Sequence, residues 1–229
     1  MTMIKTNESG RSMIEMLGVL AIIGVLSVGG IAGYSKAMNK FKTNKVADNV
    51  SMLVANIKTL YAQQNSYDGL KVDSAISMGV VPDELVSTPL GDDGTGGALT
   101  NAYNGSVDIN ASNSVGATTA DSAGDSLAFT IVFNGLSKEA CIALATNDWG
   151  SGYSSGLIGM QVKNDEQAIT DDANVKMGCK GTASANVAAS PQVACPGGED
   201  TPLPMPVAQA AAACKCDNGN TCSILWKYY

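Results

Sequence analysis

The chain has 229 residues, 45% of them hydrophobic, with 25 Gly, six Cys and no His, and its 14 basic and 21 acidic side chains leave a net charge of −7. This composition suits a folded protein, and its acidic balance supplies no general surface for phosphate backbones, so nucleic acid is not an expected partner. The absence of histidine excludes Ser-His-Asp and Cys-His catalysis and removes the commonest metal ligand, so no catalytic residue, cofactor or metal is expected.

Residues 1–10 are polar and carry Lys5 and Glu8, a net of zero. From Met16 to Tyr34 there are 19 residues without a charge. As a helix they span about 28 Å, close to a bilayer core. A secretory signal peptide is the simpler alternative, but its apolar region runs only about 7 to 15 residues before a small-residue cleavage site. Beyond the span, Met38, Phe41, Val46, Val50, Leu53, Ile57 and Leu60 recur near the helical period. One helix is expected over residues 12–64, apolar all round in its first half and amphipathic in its second.

Charge divides the chain further. Lys36, Lys40, Lys42, Lys45 and Lys58 against Asp48 give residues 36–58 a net of +4, whereas residues 66–229 hold 7 basic and 18 acidic side chains, a net of −11. The positive-inside rule, read from the four lysines after the span, would put the body in the cytoplasm. The cysteines argue for an oxidising compartment and outweigh it. The lysines are then expected to meet the acidic body of a neighbouring copy.

In the body the period changes. Residues 125–133 alternate Leu127, Phe129, Ile131 and Phe133 on one face, which predicts a half-buried strand. Asn134-Gly135 is expected to turn it, and Ser137 to cap a short helix over 138–145 that buries Cys141 and Leu144. Further strands are expected at 107–109, 157–162 and 222–229, the last with Ile224, Trp226 and Tyr228 on one face. Gly91 to Gly97 and the five prolines from Pro191 to Pro206 read as surface loops. The fold class is therefore α+β: a long N-terminal helix packed on an antiparallel sheet domain with disulfide-linked loops.

Cys141, Cys179, Cys195, Cys214, Cys216 and Cys222 all lie in this body, an even number in a loop-rich region. Three disulfides are expected, and about fifteen pairings are open. A zinc site is the weaker reading, because Cys-x-Cys and Cys-x₅-Cys lack the usual paired spacing. Gly152-Tyr153-Ser154-Ser155-Gly156 and Gly124-Asp125-Ser126-Leu127 spell fragments of hydrolase signatures, but no histidine exists to serve as base, so both are assigned to turns. Gly91 to Gly97 lacks the Lys-Ser/Thr of a phosphate loop. Asp165, Glu166, Asp171 and Asp172 do not follow calcium-loop spacing and read as a solvated face. Tyr103, Trp149 and Tyr153 are assigned to packing.

The anomalous residue is Glu15. A carboxylate inside an apolar span costs about 3 kcal/mol near a bilayer centre and normally has a partner. Cleavage after Gly10 would make Glu15 the fifth residue and create an α-ammonium group at Arg11. The carboxylate then lies about 6 Å along the axis from its own terminus, so its natural partner is the terminus of an axially shifted neighbour.

The string Gly10-Arg11-Ser12-Met13-Ile14-Glu15-Met16-Leu17, followed by an apolar run and a long amphipathic helix, resembles the prepilin leader and N-terminal helix of type IV pilins. Leu99 to Ile109, Phe129 to Ile131 and Ala140 to Leu144 are similar to the globular domain of the type IVb branch. The resemblance implies a leader at 1–10, a helix at 11–65 with a membrane and filament core at 13–34, and a head at 66–229. It also implies cleavage between Gly10 and Arg11 by prepilin peptidase, N-methylation of Arg11, and pairing of Glu15 with an adjacent subunit. The implied protein is a non-enzymatic homopolymer subunit. It would be held in the bacterial inner membrane with its body in the periplasm, then built by the pilus assembly machinery into an extracellular filament for adhesion, aggregation or conjugation. The family usually opens the mature chain with Phe, Met or Leu, where this one has Arg11. Where one branch has a proline, at Ala32, this chain has Gly29, Gly30 and Gly33 nearby. A minor pilin or type II secretion pseudopilin is the nearest alternative. A secreted or membrane-anchored disulfide-rich binding protein is the alternative from another class.

Overall fold

The computed structural model describes residues 11–112, 126–150, 155–163, 192–193, 201–202, 204–216 and 221–229, by backbone alone at 11–12, 192–193 and 201–202. The chain divides into two compact units, Met1–Phe41 and Lys42–Tyr229. Helix α1 (Arg11–Tyr61) has 51 residues and continues through Gly29, Gly30 and Gly33, ending three residues before the expected Gln64.

In the first unit every large apolar side chain from Met13 to Tyr34 is 52–75% exposed. A helix satisfies its own backbone groups, which an apolar solvent requires. Ser35 hides its hydroxyl in the same way, donating to the Ile31 carbonyl at 3.0 Å.

In the second unit Val46, Val50, Leu53 and Ile57 are fully buried at intervals of four, three and four, the stripe an amphipathic helix presents. Each contributes roughly 1.5 to 3 kcal/mol by leaving water. The stripe ends on Tyr61; Leu60, expected within it, is 41% exposed. Next come α2 (Val72–Ser77), a 3₁₀ turn (Asp83–Leu85), and strands β1 (Val86–Thr88), β2 (Ala98–Thr100), β3 (Ser106–Ser112) and β4 (Ala128–Leu136). Helix α3 (Lys138–Ala145), β5 (Leu157–Lys163), β6 (Gln192–Val193), β7 (Thr201–Pro202), α4 (Val207–Ala213) and β8 (Cys222–Tyr228) follow.

The main sheet is six-stranded and antiparallel, in the order β1-β2-β3-β4-β8-β5. Its inner face is set by register: Ile109 lies opposite Ile131, and Ile131 opposite Trp226, which in turn lies opposite Met160. These side chains and the α1 stripe form one core. The C-terminal strand β8 is thus inserted between β4 and β5 and buried along its whole length. On the other face Val132 packs on Leu225 beside buried Thr130, Asn134, Ser223 and Lys227.

Several expectations are corrected. Asn134-Gly135 does not turn the chain: β4 runs through it to Leu136 with its register to β8 shifted between Phe133 and Leu136, a bulge made by Gly135 at φ +72°. The strand also starts later, and Leu127 is 43% exposed. The proline-rich stretch is not all loop, because Gln192–Val193 pairs with Thr201–Pro202 and Pro206 opens α4, whose alanines favour helix. Strands β1 and β2 have three residues each, too few to show a period. Helix α3 has the expected limits, and Ser137 accepts from the Ala140 N–H at its start.

Candidate assembly surface

Of the predicted site residues, Gly10 lies outside the described residues. Arg11 is the first residue of α1 and Glu15 is exposed on it one turn later. At 1.5 Å per residue the two are about 6 Å apart along the axis. Around Glu15 stands the exposed apolar surface of residues 13–34. By length and composition this helix is able to cross a membrane. With a dozen such side chains at roughly 1.5 to 3 kcal/mol each, water is an expensive solvent for it, and lipid or other apolar helices are suitable ones.

The second unit holds its own part of α1, from Lys42 onward. Tyr103 projects from the loop between β2 and β3, where its hydroxyl shares a hydrogen bond with Thr43 at 2.8 Å. The Lys42 ammonium lies 5.5 Å from the centre of the same ring. That loop is held by Asn101, which is 5% exposed. Its Oδ1 accepts from the N–H groups of Tyr103 and Gly105 at 2.8 and 3.3 Å, and its Nδ2 donates to the Asn134 carbonyl at 2.8 Å. Lys45 pairs with Glu84 at 2.9 Å. Near the end of α1, Lys58 donates to the Ser155 carbonyl at 2.7 Å and stands 5.1 Å from the Tyr228 ring centre. Burial lowers its amine's pKa.

Within one chain these contacts occupy two of the four lysines expected to meet a neighbouring copy. Lys42 and Lys45 are engaged by their own head, which leaves Lys36 and Lys40 of the first unit exposed. Asn101 and Tyr103 as a helix clamp were not read from the sequence; the only signal was the short apolar string around them. Trp149 packs as expected, 5.1 Å from Trp226 between ring centres, with its N–H on the Leu144 carbonyl at 2.7 Å.

Four of the six cysteines form two bonds, Cys141–Cys214 and Cys216–Cys222. The first ties α3 to the residue after α4, and the second ties the following loop to the start of β8. Cys179 and Cys195 lie outside the described residues, as do Asp165, Glu166, Asp171, Asp172, Gly152, Tyr153, Ser154, Gly124 and Asp125. Among the described residues no group of three or more His, Cys, Asp or Glu is placed to hold a metal ion.

A helix apolar in its first half, with its second half seated on an antiparallel sheet braced by disulfides, is the plan of a pilin, the structural subunit of a pilus. The chain belongs to the PilS N-terminal family, which matches residues 40–190. It is 26% identical over 158 residues to the major structural subunit of bundle-forming pilus of Escherichia coli O127:H6 (strain E2348/69 / EPEC), covering 68% of this chain and 74% of that one. The subunit of the same name from Escherichia coli O111:H- is 24% identical over 179 residues, covering 78% and 84%. The crystal structure of the type IV b pilin from Salmonella typhi is similar with a TM-score of 0.42 at 18% identity, covering 77% of this chain and 93% of that one.

Proposed function

We propose that this pilin is stored in the bacterial inner membrane through residues 13–34, with its head in the periplasm, and is then polymerised with copies of itself into an extracellular filament. The single observation that carries the reading is the exposed apolar helix surface around Glu15. In the stored state lipid covers it; in the filament the same surfaces of neighbouring helices do so, and the small residues Gly18, Ala21, Gly24 and Ser27 permit close approach. Prepilin peptidase cuts between Gly10 and Arg11, the Arg11 amine is methylated, and Glu15 takes the terminal ammonium of an adjacent copy, which fixes the axial stagger. The chain catalyses nothing in this scheme; it is a substrate for processing and then a building block.

The test is filament recovery from sheared cells together with mass analysis of the subunit's N-terminus. A mature chain starting at Arg11 is expected, and Gly10→Ala and Glu15→Ala should each abolish filaments, the first by blocking the cut and the second by removing the charge. Filaments built from chains that retain residues 1–10 would overturn the scheme.

A further inference from the structure

Two lysines of the neck are left over once the head has engaged Lys42 and Lys45. Lys36 and Lys40 are exposed, and among the described residues neither has an ion-pair or hydrogen-bond partner. They stand one turn apart on one side of α1, about 3 and 9 Å beyond Tyr34, the last residue of the apolar stretch. The layer of lipid headgroups is about 5 to 8 Å deep on each side of the hydrocarbon core, and the flexible lysine stem lets Lys40 reach back into it. Tyr34, 66% exposed, lies at the inner edge of that layer, the depth at which tyrosine rings collect. By helical periodicity Tyr34 lies about 160° around the helix from Lys36 and about 120° from Lys40. Groups suited to an interface on both sides of a lone helix match a solvent that surrounds it, whereas docking on another protein would use one side.

We infer that Lys36 and Lys40 bind the phosphodiester headgroups of anionic phospholipids in the membrane-stored subunit. This rests on the storage stage proposed above. Lipid contact here holds the helix at a fixed depth and gives the outward-facing lysines a function that the positive-inside rule does not provide.

The test uses the full chain inserted in nanodiscs of phosphatidylcholine or of phosphatidylcholine with phosphatidylglycerol. A water-soluble acylating reagent labels amines, and labelling at each lysine is read by peptide mass spectrometry against Lys138, which is exposed on the head. Phosphatidylglycerol should reduce labelling of Lys36 and Lys40 by roughly fivefold each relative to Lys138, and 1 M salt should restore it. Retention of phosphatidylglycerol by the detergent-extracted chain should fall in the Lys36→Gln/Lys40→Gln variant. Equal labelling in both discs overturns the inference, as does protection that appears only after polymerisation, which would assign the lysines to a neighbour's carboxylates. A chain that fails to enter discs at all instead overturns the storage stage itself.

Discussion

The hydroxyls of Tyr103 and Thr43 are 2.8 Å apart, and through them a loop of the sheet grips the first turn of α1 that belongs to the head. The Lys42 ammonium on the Tyr103 ring adds a second point of attachment one residue earlier. A double-mutant cycle separates the hydroxyl pair from the ring contact. Tyr103→Phe and Thr43→Val should be coupled by about 0.5 to 1.5 kcal/mol in urea unfolding of the head, with the sheet intact by circular dichroism. Coupling near zero would mean that the pair contributes nothing to holding the helix.

Gly105 sits where a side chain has no room. A Cβ built there would lie 1.8 Å from the Asn134 carbonyl oxygen, which already accepts from Asn101. Opposite it, a Cβ on Gly135 would lie 2.8 Å from the Gly105 Cα, so the bulge in β4 and the Tyr103 loop touch backbone to backbone. Gly105→Ala should therefore cost about 3 kcal/mol or more and loosen the clamp. Gly94→Ala, where nothing lies within 4 Å and only φ +73° opposes the change, should cost about 1 kcal/mol. Calorimetric melting of both variants gives the comparison, and equal losses would contradict the steric account.

The two described disulfides close loops of very different size, with sequence separations of 73 and 6. In the chain-entropy model they are worth about 4 and about 2 kcal/mol. Paired Ala substitution of Cys141 and Cys214 should accordingly lower the melting temperature well below that of the Cys216/Cys222 double variant. Non-reducing peptide mapping should recover 141–214 and 216–222 as linked pairs. Recovery of either cysteine of α3 or β8 with another partner would refute the arrangement.

Which features were legible in the sequence depended on how local their causes are. The apolar run, the α1 stripe from Val46 to Ile57 and the Ser137 cap of α3 are written in spacing or in one capping residue. The alternation of Ile224, Trp226 and Tyr228 likewise marks β8, but burial of its other face at Ser223, Leu225 and Lys227 goes with its insertion between β4 and β5, which only the assembled fold decides. Asn-Gly occurs at 104–105 and again at 134–135; the first closes a loop and the second makes a bulge within a strand, because β8 continues to pair on the far side. Helix α2 carries no cap signal at Lys71; Ser74 reaches back to accept its N–H at 2.8 Å. Glu15 stands out in the sequence as a charge in an apolar run, whereas the Asn101–Tyr103 clamp depends on contacts 60 residues apart in sequence.

Asp108 carries a pH signature in the acid range. Burial on the outer face of the sheet raises its carboxyl pKa, and the hydrogen bond from Asn134 Nδ2 at 3.2 Å offsets only part of that. With the folded pKa above the unfolded value, the folded state holds this proton more tightly. The resulting stabilisation is complete below the unfolded pKa of 3.8 and is lost as pH rises through the folded value. At pH 7 the ionised carboxylate is therefore a net cost. Asp108→Asn keeps an acceptor for Asn134 and removes the charge, so it should raise the stability of the head at pH 7 by less than about 1 kcal/mol, since the group is partly solvated. The gain should shrink towards zero as the pH falls below 4. Asp92→Asn, which removes the same charge from the exposed 91–97 loop, is the charge-matched control. Urea midpoints of all three proteins from pH 3 to pH 8 measure the difference, and a gain for Asp108→Asn that persists at pH 3 would show that packing, not ionisation, is responsible.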